Sequence, residues 1–332
     1  MLQCRPWRRS DKNSSPLGEH TRMTFLLLLL LVGRLAVSLA TDLVVMGYVP
    51  EYRFGGVDFD VLATRTNVLT LFSLELDAAS RLVGTDRFPA DVMDRARAAK
   101  LKHGTKLLVS LGGGGRSTYF RSTLNSFVFS ERLAASLAAF VAQNGLDGVD
   151  VDWEDAKVDE RAYVRFLTNL RKALPEGAQI TVALHVKDPL VKALSAVADA
   201  VNLMAYDLCV SVPCRHSTLQ HAAEALDAAV KAGAEARKLV LGIPLYGRVM
   251  KTGDAVPFYD IVKNGKVRGD VDATNTIHFN GRQTIAAKIA LVRERGARGI
   301  FFWEVGQDHS EQSLLATAWQ DAQEGVEKDR EL

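Results

Sequence analysis

Four carboxylates stand within eight residues in the run Asp147-Gly148-Val149-Asp150-Val151-Asp152-Trp153-Glu154. In an extended strand Asp150, Asp152 and Glu154 face one side and Val149, Val151 and Trp153 the other, with successive acids about 6.5 to 7 Å apart. Asp147, Asp150 and Glu154 also fit the i, i+3, i+7 spacing of a solvated helix face. Gly148 and the two valines speak for the strand, as does Gly145, which ends the preceding helical pattern and leaves only a strand-length run. The apolar side must then pack against neighbouring elements, and the acids project inward, where burying an unpaired charge costs several kcal/mol. Like-charged carboxyls held together share protons and push one another's pKa apart, which is the condition for acid–base chemistry.

The elements that would position these acids are legible on either side of them. Eight short runs rich in β-branched and apolar residues recur from residue 42 onward, at roughly 43–49, 67–74, 105–111, 147–153, 179–185, 200–206, 239–245 and 298–303. Between them, segments 89–102, 131–143, 159–173, 218–231 and 283–295 carry helical apolar spacing. Pro89 suits a first helical turn, and Gly104, Gly145, Gly233 and Gly296 fall where helices should stop. Alternation of this kind predicts an α/β fold, a single (β/α)8 TIM barrel, with a doubly wound open sheet as the rival.

The chain has 332 residues, 48% of them hydrophobic, and a formal charge of +2. Residues 1 to 40 hold six Lys or Arg against Asp11 and Glu19, so the remainder carries 35 basic and 37 acidic residues. Near-neutrality gives no reason to expect a nucleic acid or an anionic membrane as partner. Phe25 to Gly33 and Leu35 to Leu39 form an apolar block too short to span a bilayer, with basic residues before it and Ser38-Leu39-Ala40 behind it. We therefore expect a secretory leader over 1–40, a signal anchor being the alternative, with translation starting at Met1 or Met23. A polar tail over 326–332 is expected to fray. Beyond the leader only Cys209 and Cys214 remain, an even pair that could close a loop as a disulfide or stay as two thiols. No metal-ligand spacing accompanies them.

Here the sequence resembles the family-18 glycoside hydrolases, whose signature D-x-x-D-x-D-x-E is complete in Asp147, Asp150, Asp152 and Glu154. Further segments match in order. Ser110-Leu111-Gly112-Gly113 resembles S-x-G-G, and Met204-Ala205-Tyr206-Asp207 resembles M-x-Y-D. Gly242 to Arg248 resembles the seventh-strand segment, and Gly299 to Trp303 the eighth with its tryptophan. The likeness runs from residue 43 to about 320, so the catalytic domain is expected over 41–325. It implies a chitinase acting on β-1,4-linked N-acetylglucosamine polymers or their oligosaccharides through a substrate-assisted, retaining mechanism. By that resemblance Glu154 is the general acid and base, and Asp152 orients the sugar's acetamide. Asp150 tunes Asp152, Tyr206 bonds the acetamide carbonyl, and Asp207 contacts the distorted sugar. Trp303 forms an apolar floor, while Tyr246 and Arg248 are further candidates for holding the sugar chain. Asp147 is expected to be structural, and His185, His216 and His278, which match no part of the signature, are treated as structural too.

No cofactor or metal is implied. Too few residues separate Gly247 from Gly296 for a large α+β insertion, so an open groove and internal cleavage are expected. An endo-β-N-acetylglucosaminidase acting on N-glycans shares the signature, and a chitin-binding lectin shares the fold. Trp153 favours the chitinase over the first, and the presence of Glu154 favours an enzyme over the second. A monomer released to the extracellular space is expected. Retention in the endoplasmic reticulum or a lysosome-like compartment is left open by Asp329-Arg330-Glu331-Leu332, which partly resembles K-D-E-L.

Overall fold

The computed structural model describes residues 43–154, 159–208, 213, 215–263, 265 and 267–330. The expected leader over 1–40 and the Cys209–Cys214 pair lie outside them. In chain order the strands are β1 (Val44–Pro50), β2 (Val68–Leu76), β3 (Leu82–Val83), β4 (Lys106–Gly112), β5 (Gly148–Asp152), β6 (Gln179–His185), β7 (Ala200–Met204), β8 (Leu239–Pro244), β9 (Tyr246–Val249), β10 (Ala255–Pro257), β11 (Ile277–His278) and β12 (Gly299–Trp303). The helices are α1 (Phe59–Ala63), α2 (Ala90–His103), α3 (Phe120–Asn125), α4 (Phe127–Gln143), α5 (Glu160–Ala173), α6 (Val191–Val197), α7 (Leu219–Lys231), α8 (Phe258–Val262), α9 (Arg282–Glu294) and α10 (Leu314–Arg330).

Strands β1, β2, β4, β5, β6, β7, β8 and β12 pair in parallel in that order, and β12 returns to β1 to close the barrel. All eight expected runs are strands, and the open-sheet rival is set aside by the closure. Each strand turns one face to the helices and the other to the barrel interior. One face feeds the layer between sheet and helices, where Trp153 packs on Phe120 of α3 and Tyr163 of α5 at centroid distances of 5.7 and 5.1 Å. The other face fills the barrel with Met46, Tyr48, Phe72, Leu108, Met204, Val240 and Phe301.

Helix ends follow local chemistry. Ser126, Asp159 and Thr218 accept backbone N–H groups as caps of α4, α5 and α7, and α2 stops at Gly104 in the left-handed conformation. Strands β9, β10 and β11 form a small antiparallel sheet beside α8, between β8 and α9. This is a compact insertion, in keeping with the short spacing in the sequence. The helical backbone of α10 continues past Gly325 to Arg330. The segment holds no proline and is rich in Glu, Lys and Arg, which are good helix formers. Among the described residues no helix is long and apolar enough to cross a membrane.

Candidate active site

Strand register builds the site. Asp150 lies level with Ser110 on β4 and Thr181 on β6, so both hydroxyls reach its carboxylate. Ser110 Oγ donates to Asp150 Oδ2 at 3.0 Å and Thr181 Oγ1 to Oδ1 at 2.5 Å. From across the barrel Tyr48 Oη donates to Oδ2 at 3.0 Å and Asn202 Nδ2 to Oδ1 at 3.1 Å. Burial pushes the Asp150 carboxyl up from its ordinary range, and the four donors, Thr181 foremost, pull it back. The same burial, with Asp150 and Asp152 beside it, pushes the Tyr48 phenol far up.

One step higher, Asp152 lies level with Gly112 and Ala183. Its Oδ1 is buried without a hydrogen-bond partner among the described residues. Burial, then the charges of Glu154 and Asp150, raises its carboxyl well above the carboxylate range. An orphaned acceptor of this kind costs free energy unless something fills it, which is the expected state of a group waiting for a ligand donor. The close approach of β4 requires the glycines found there. A Cβ on Gly112 would sit 2.2 Å from the Asp152 carbonyl oxygen, and Gly113, at φ 98°, donates its N–H to that oxygen at 2.7 Å.

Glu154 follows the end of β5, its backbone N–H held by Ser117 Oγ at 3.1 Å and its side chain 27% exposed. Around it opens a cleft of about 420 Å³, a size ordinary for ligand sites, at the carboxyl end of the barrel strands. Phe72, Asp152, Met204, Tyr206, Tyr246 and Trp303 line it, with Tyr52, Arg116 and Asp207 towards the rim. Trp303 is wedged edge-on against Phe72 and Tyr48, with ring centroids at 4.8 and 5.6 Å.

Asp207, at φ 57°, is gripped from three sides. Arg248 donates through Nε at 2.8 Å and Nη2 at 2.5 Å, Tyr246 Oη at 2.9 Å, and His216 Nδ1 lies at 3.2 Å. Burial alone would raise its carboxyl, but the His216 and Arg248 hydrogen bonds outweigh it and hold the group well below the carboxylate range.

The sequence candidates therefore divide. Asp150, Asp152, Glu154, Tyr206, Asp207, Tyr246 and Trp303 converge on the cleft or the buried column beneath it. Asp147 does not: it sits at the opposite end of β5, taking the Lys100 ammonium at 2.7 Å and the Leu107 N–H at 2.8 Å. Arg248 is absent from the cleft lining, and its guanidinium is occupied by Asp207. His216 and His278 are buried, but the structural assignment of His185 needs correction, because its ring lines the cleft 3.9 Å from Glu154. It shares the inward face of β6 with Thr181 and Ala183, a parity visible in the sequence. Tyr48, Thr181, Asn202 and Ser117 were missed; only register, which no short motif encodes, brings them to the acids.

The profile of glycosyl hydrolases family 18 matches residues 44–308. An Endochitinase 1 from Metarhizium robertsii is 25% identical over 283 residues, covering 66% of this chain and 66% of that protein, so the chain spans a little under two thirds of the relative's length. Among solved structures, a family-18 chitinase from the chitin utilization locus of Flavobacterium johnsoniae superposes with a TM-score of 0.75 at 26% identity, over 86% of this chain and 95% of that one. A family-18 chitinase from Cycas revoluta, solved with (GlcNAc)3, shares the fold with a TM-score of 0.73 at 22% identity, over 85% of this chain and 99% of that one. With its signature strand, its closed barrel and all but the ends of its described length inside that match, the chain belongs to the glycosyl hydrolases of family 18.

Proposed function

We propose that the protein is a chitinase that hydrolyses β-1,4-linked N-acetylglucosamine chains by a substrate-assisted, retaining route. The observation that carries this is the division of labour among the cleft carboxyls. Asp207 is fully engaged by Arg248, Tyr246 and His216, and Asp152 is buried and held towards its protonated form. Among the described residues lining the cleft, Glu154 alone is a carboxyl both partly exposed and free of a strong ion pair. It gives its proton to the glycosidic oxygen, while the 2-acetamido carbonyl of the sugar above Trp303 attacks its own anomeric carbon. The glycosidic bond breaks as the new ring closes, and Glu154 then takes a proton from the water that opens it.

Asp152 accepts the acetamide N–H on its orphaned oxygen, a hydrogen bond that strengthens as positive charge develops on the ring. Asp150, fixed by its four donors, sets the proton on Asp152, and Tyr206 bonds the acetamide carbonyl. Residues 1–40 are read as a secretory leader and Cys209–Cys214 as a disulfide formed after export. The metarhizial relative is named an endochitinase and one relative from Penicillium expansum a secreted chitinase, in line with internal cleavage outside the cell.

The test follows the substrate's own part in the reaction. Fully deacetylated chitosan should bind yet resist cleavage, and proton NMR in the first minutes of chitopentaose hydrolysis should show the β anomer at the new reducing end. Cleavage of chitosan at the chitin rate, or an initial excess of α anomer, overturns the mechanism. A high-mannose glycoprotein assayed beside colloidal chitin separates this activity from release of N-glycans.

A further inference from the structure

One polar side chain in the cleft wall is unused by the chemistry of the acids. On β6, Thr181, Ala183 and His185 rise along the inner face beside Asp150, Asp152 and Glu154, since Asp150 pairs with Thr181 and Asp152 with Ala183. His185 is therefore one rung above Ala183, at the level of Glu154, and its Nε2 lies 3.9 Å from Glu154 Oε2. The two differ in depth: the Glu154 side chain is 27% exposed and that of His185 64%. On the other flank of Glu154 stands Gly114, whose missing Cβ would lie 3.8 Å from both carboxylate oxygens. Glu154 thus has an open wall on the β4 side and an imidazole on the β6 side.

We infer that His185 is the hydrogen-bonding contact for the sugar on the leaving side of the scissile bond; this rests on Glu154 acting as the acid. The oxygen that receives the proton must lie against Glu154, and the acetamide-bearing sugar is held deeper, between Asp152, Tyr206 and Trp303. The next sugar along the chain then lies outward of Glu154, where His185 projects. Neutral or protonated, an imidazole offers at least one N–H to a sugar hydroxyl. The charged or titratable groups that share the cleft with the ring are Glu154 and Asp152 from β5, Tyr206 and Asp207 from the β7 end, Tyr246 from β9, and Tyr52 and Arg116, with Lys187 and Asp188 following His185 in the chain. Asp207 is held by Arg248, so it does not compete for the ring.

The experiment compares kcat/KM for His185→Ala and His185→Asn on chitopentaose and on a 4-methylumbelliferyl β-chitobioside, whose leaving group is a flat phenol without sugar hydroxyls. The alanine variant should lose about tenfold more on the pentasaccharide than on the aryl glycoside, the scale of one lost hydrogen bond. Asparagine, which keeps a donor, should recover part of the pentasaccharide loss. Products longer than the substrate, formed at high chitopentaose when a second sugar chain replaces water, should fall in the alanine variant as well. Equal losses on both substrates would mean that His185 acts only through the Glu154 carboxyl, and no loss on either would leave it a bystander; each overturns the inference. A folded wild-type protein that turns over neither substrate overturns the proposed activity itself, and this inference with it.

Discussion

Asp150 and Asp152 are separated by one rung of β5 and by opposite degrees of satisfaction. Asp150 receives four hydrogen bonds, whereas Asp152 keeps one oxygen unpaired. Because the folded protein holds a proton on Asp152 above the ordinary carboxyl range, while the unfolded chain has already released its own, fold stability falls as pH rises through that window. Asp152→Asn should therefore melt above the wild type at pH 7, with the gap closing towards pH 4 in scanning calorimetry, while turnover drops at least a hundredfold. A melting temperature below wild type at pH 7 contradicts the assignment. For Glu154→Gln we expect a loss of about 10² to 10⁴ in kcat with oligosaccharide binding retained by calorimetric titration. At this scale the sequence was most legible where residue type and spacing coincide, as in the acids of β5. It was silent on Thr181 and Asn202, whose importance lies in what stands level with Asp150 on neighbouring strands. His185 was misjudged because motif matching outweighed the parity that puts it on the same face as Thr181.

The barrel strands were found to within two residues at each end and five helices were marked by their apolar spacing, but the 17-residue α10 was not. Strands β9, β10 and β11 escaped notice because two to four residues are too few to show alternation. Helices α3 and α6, of six and seven residues, failed for the same reason. Between β4 and β5 the backbones approach so closely at Gly112, φ 101°, that no side chain fits. Gly112→Ala should destabilise by about 1–3 kcal/mol in urea denaturation and lower kcat, because the β4 end must shift against Asp152. Below the β9–β11 sheet, Lys288 of α9 is buried, donating to Asn280 Oδ1 at 2.7 Å and Ser217 Oγ at 2.8 Å. Burial pulls its ammonium down to about 7. The unfolded chain keeps that proton to about 10.4, so stability gains from this residue as pH rises from about 7 towards 10. Lys288→Met should remove that gain: relative to wild type, its urea midpoint should be most favourable near pH 6 and decline by pH 9. Parallel pH profiles would remove Lys288 from this role.

For the molecule as a whole, the insertion between β8 and α9 is, among the described residues, a small three-stranded sheet beside one short helix, and we expect internal cleavage from it. Colloidal chitin should yield a mixture of soluble oligosaccharides, and the viscosity of a soluble chitin derivative should fall before reducing ends accumulate; steady release of disaccharide alone would show end-binding instead. The hydrogen bonds around Asp150 also carry a consequence for assembly. Its donors come from positions 31, 40, 52 and 102 residues away in the chain, on β6, β4, β7 and β1. Contacts of such separation form late, after the loops between them have closed. A chain diluted from denaturant should bury its tryptophans before it can cut a sugar, and the delay between the fluorescence change and the first product would time the joining of the first strand to the rest.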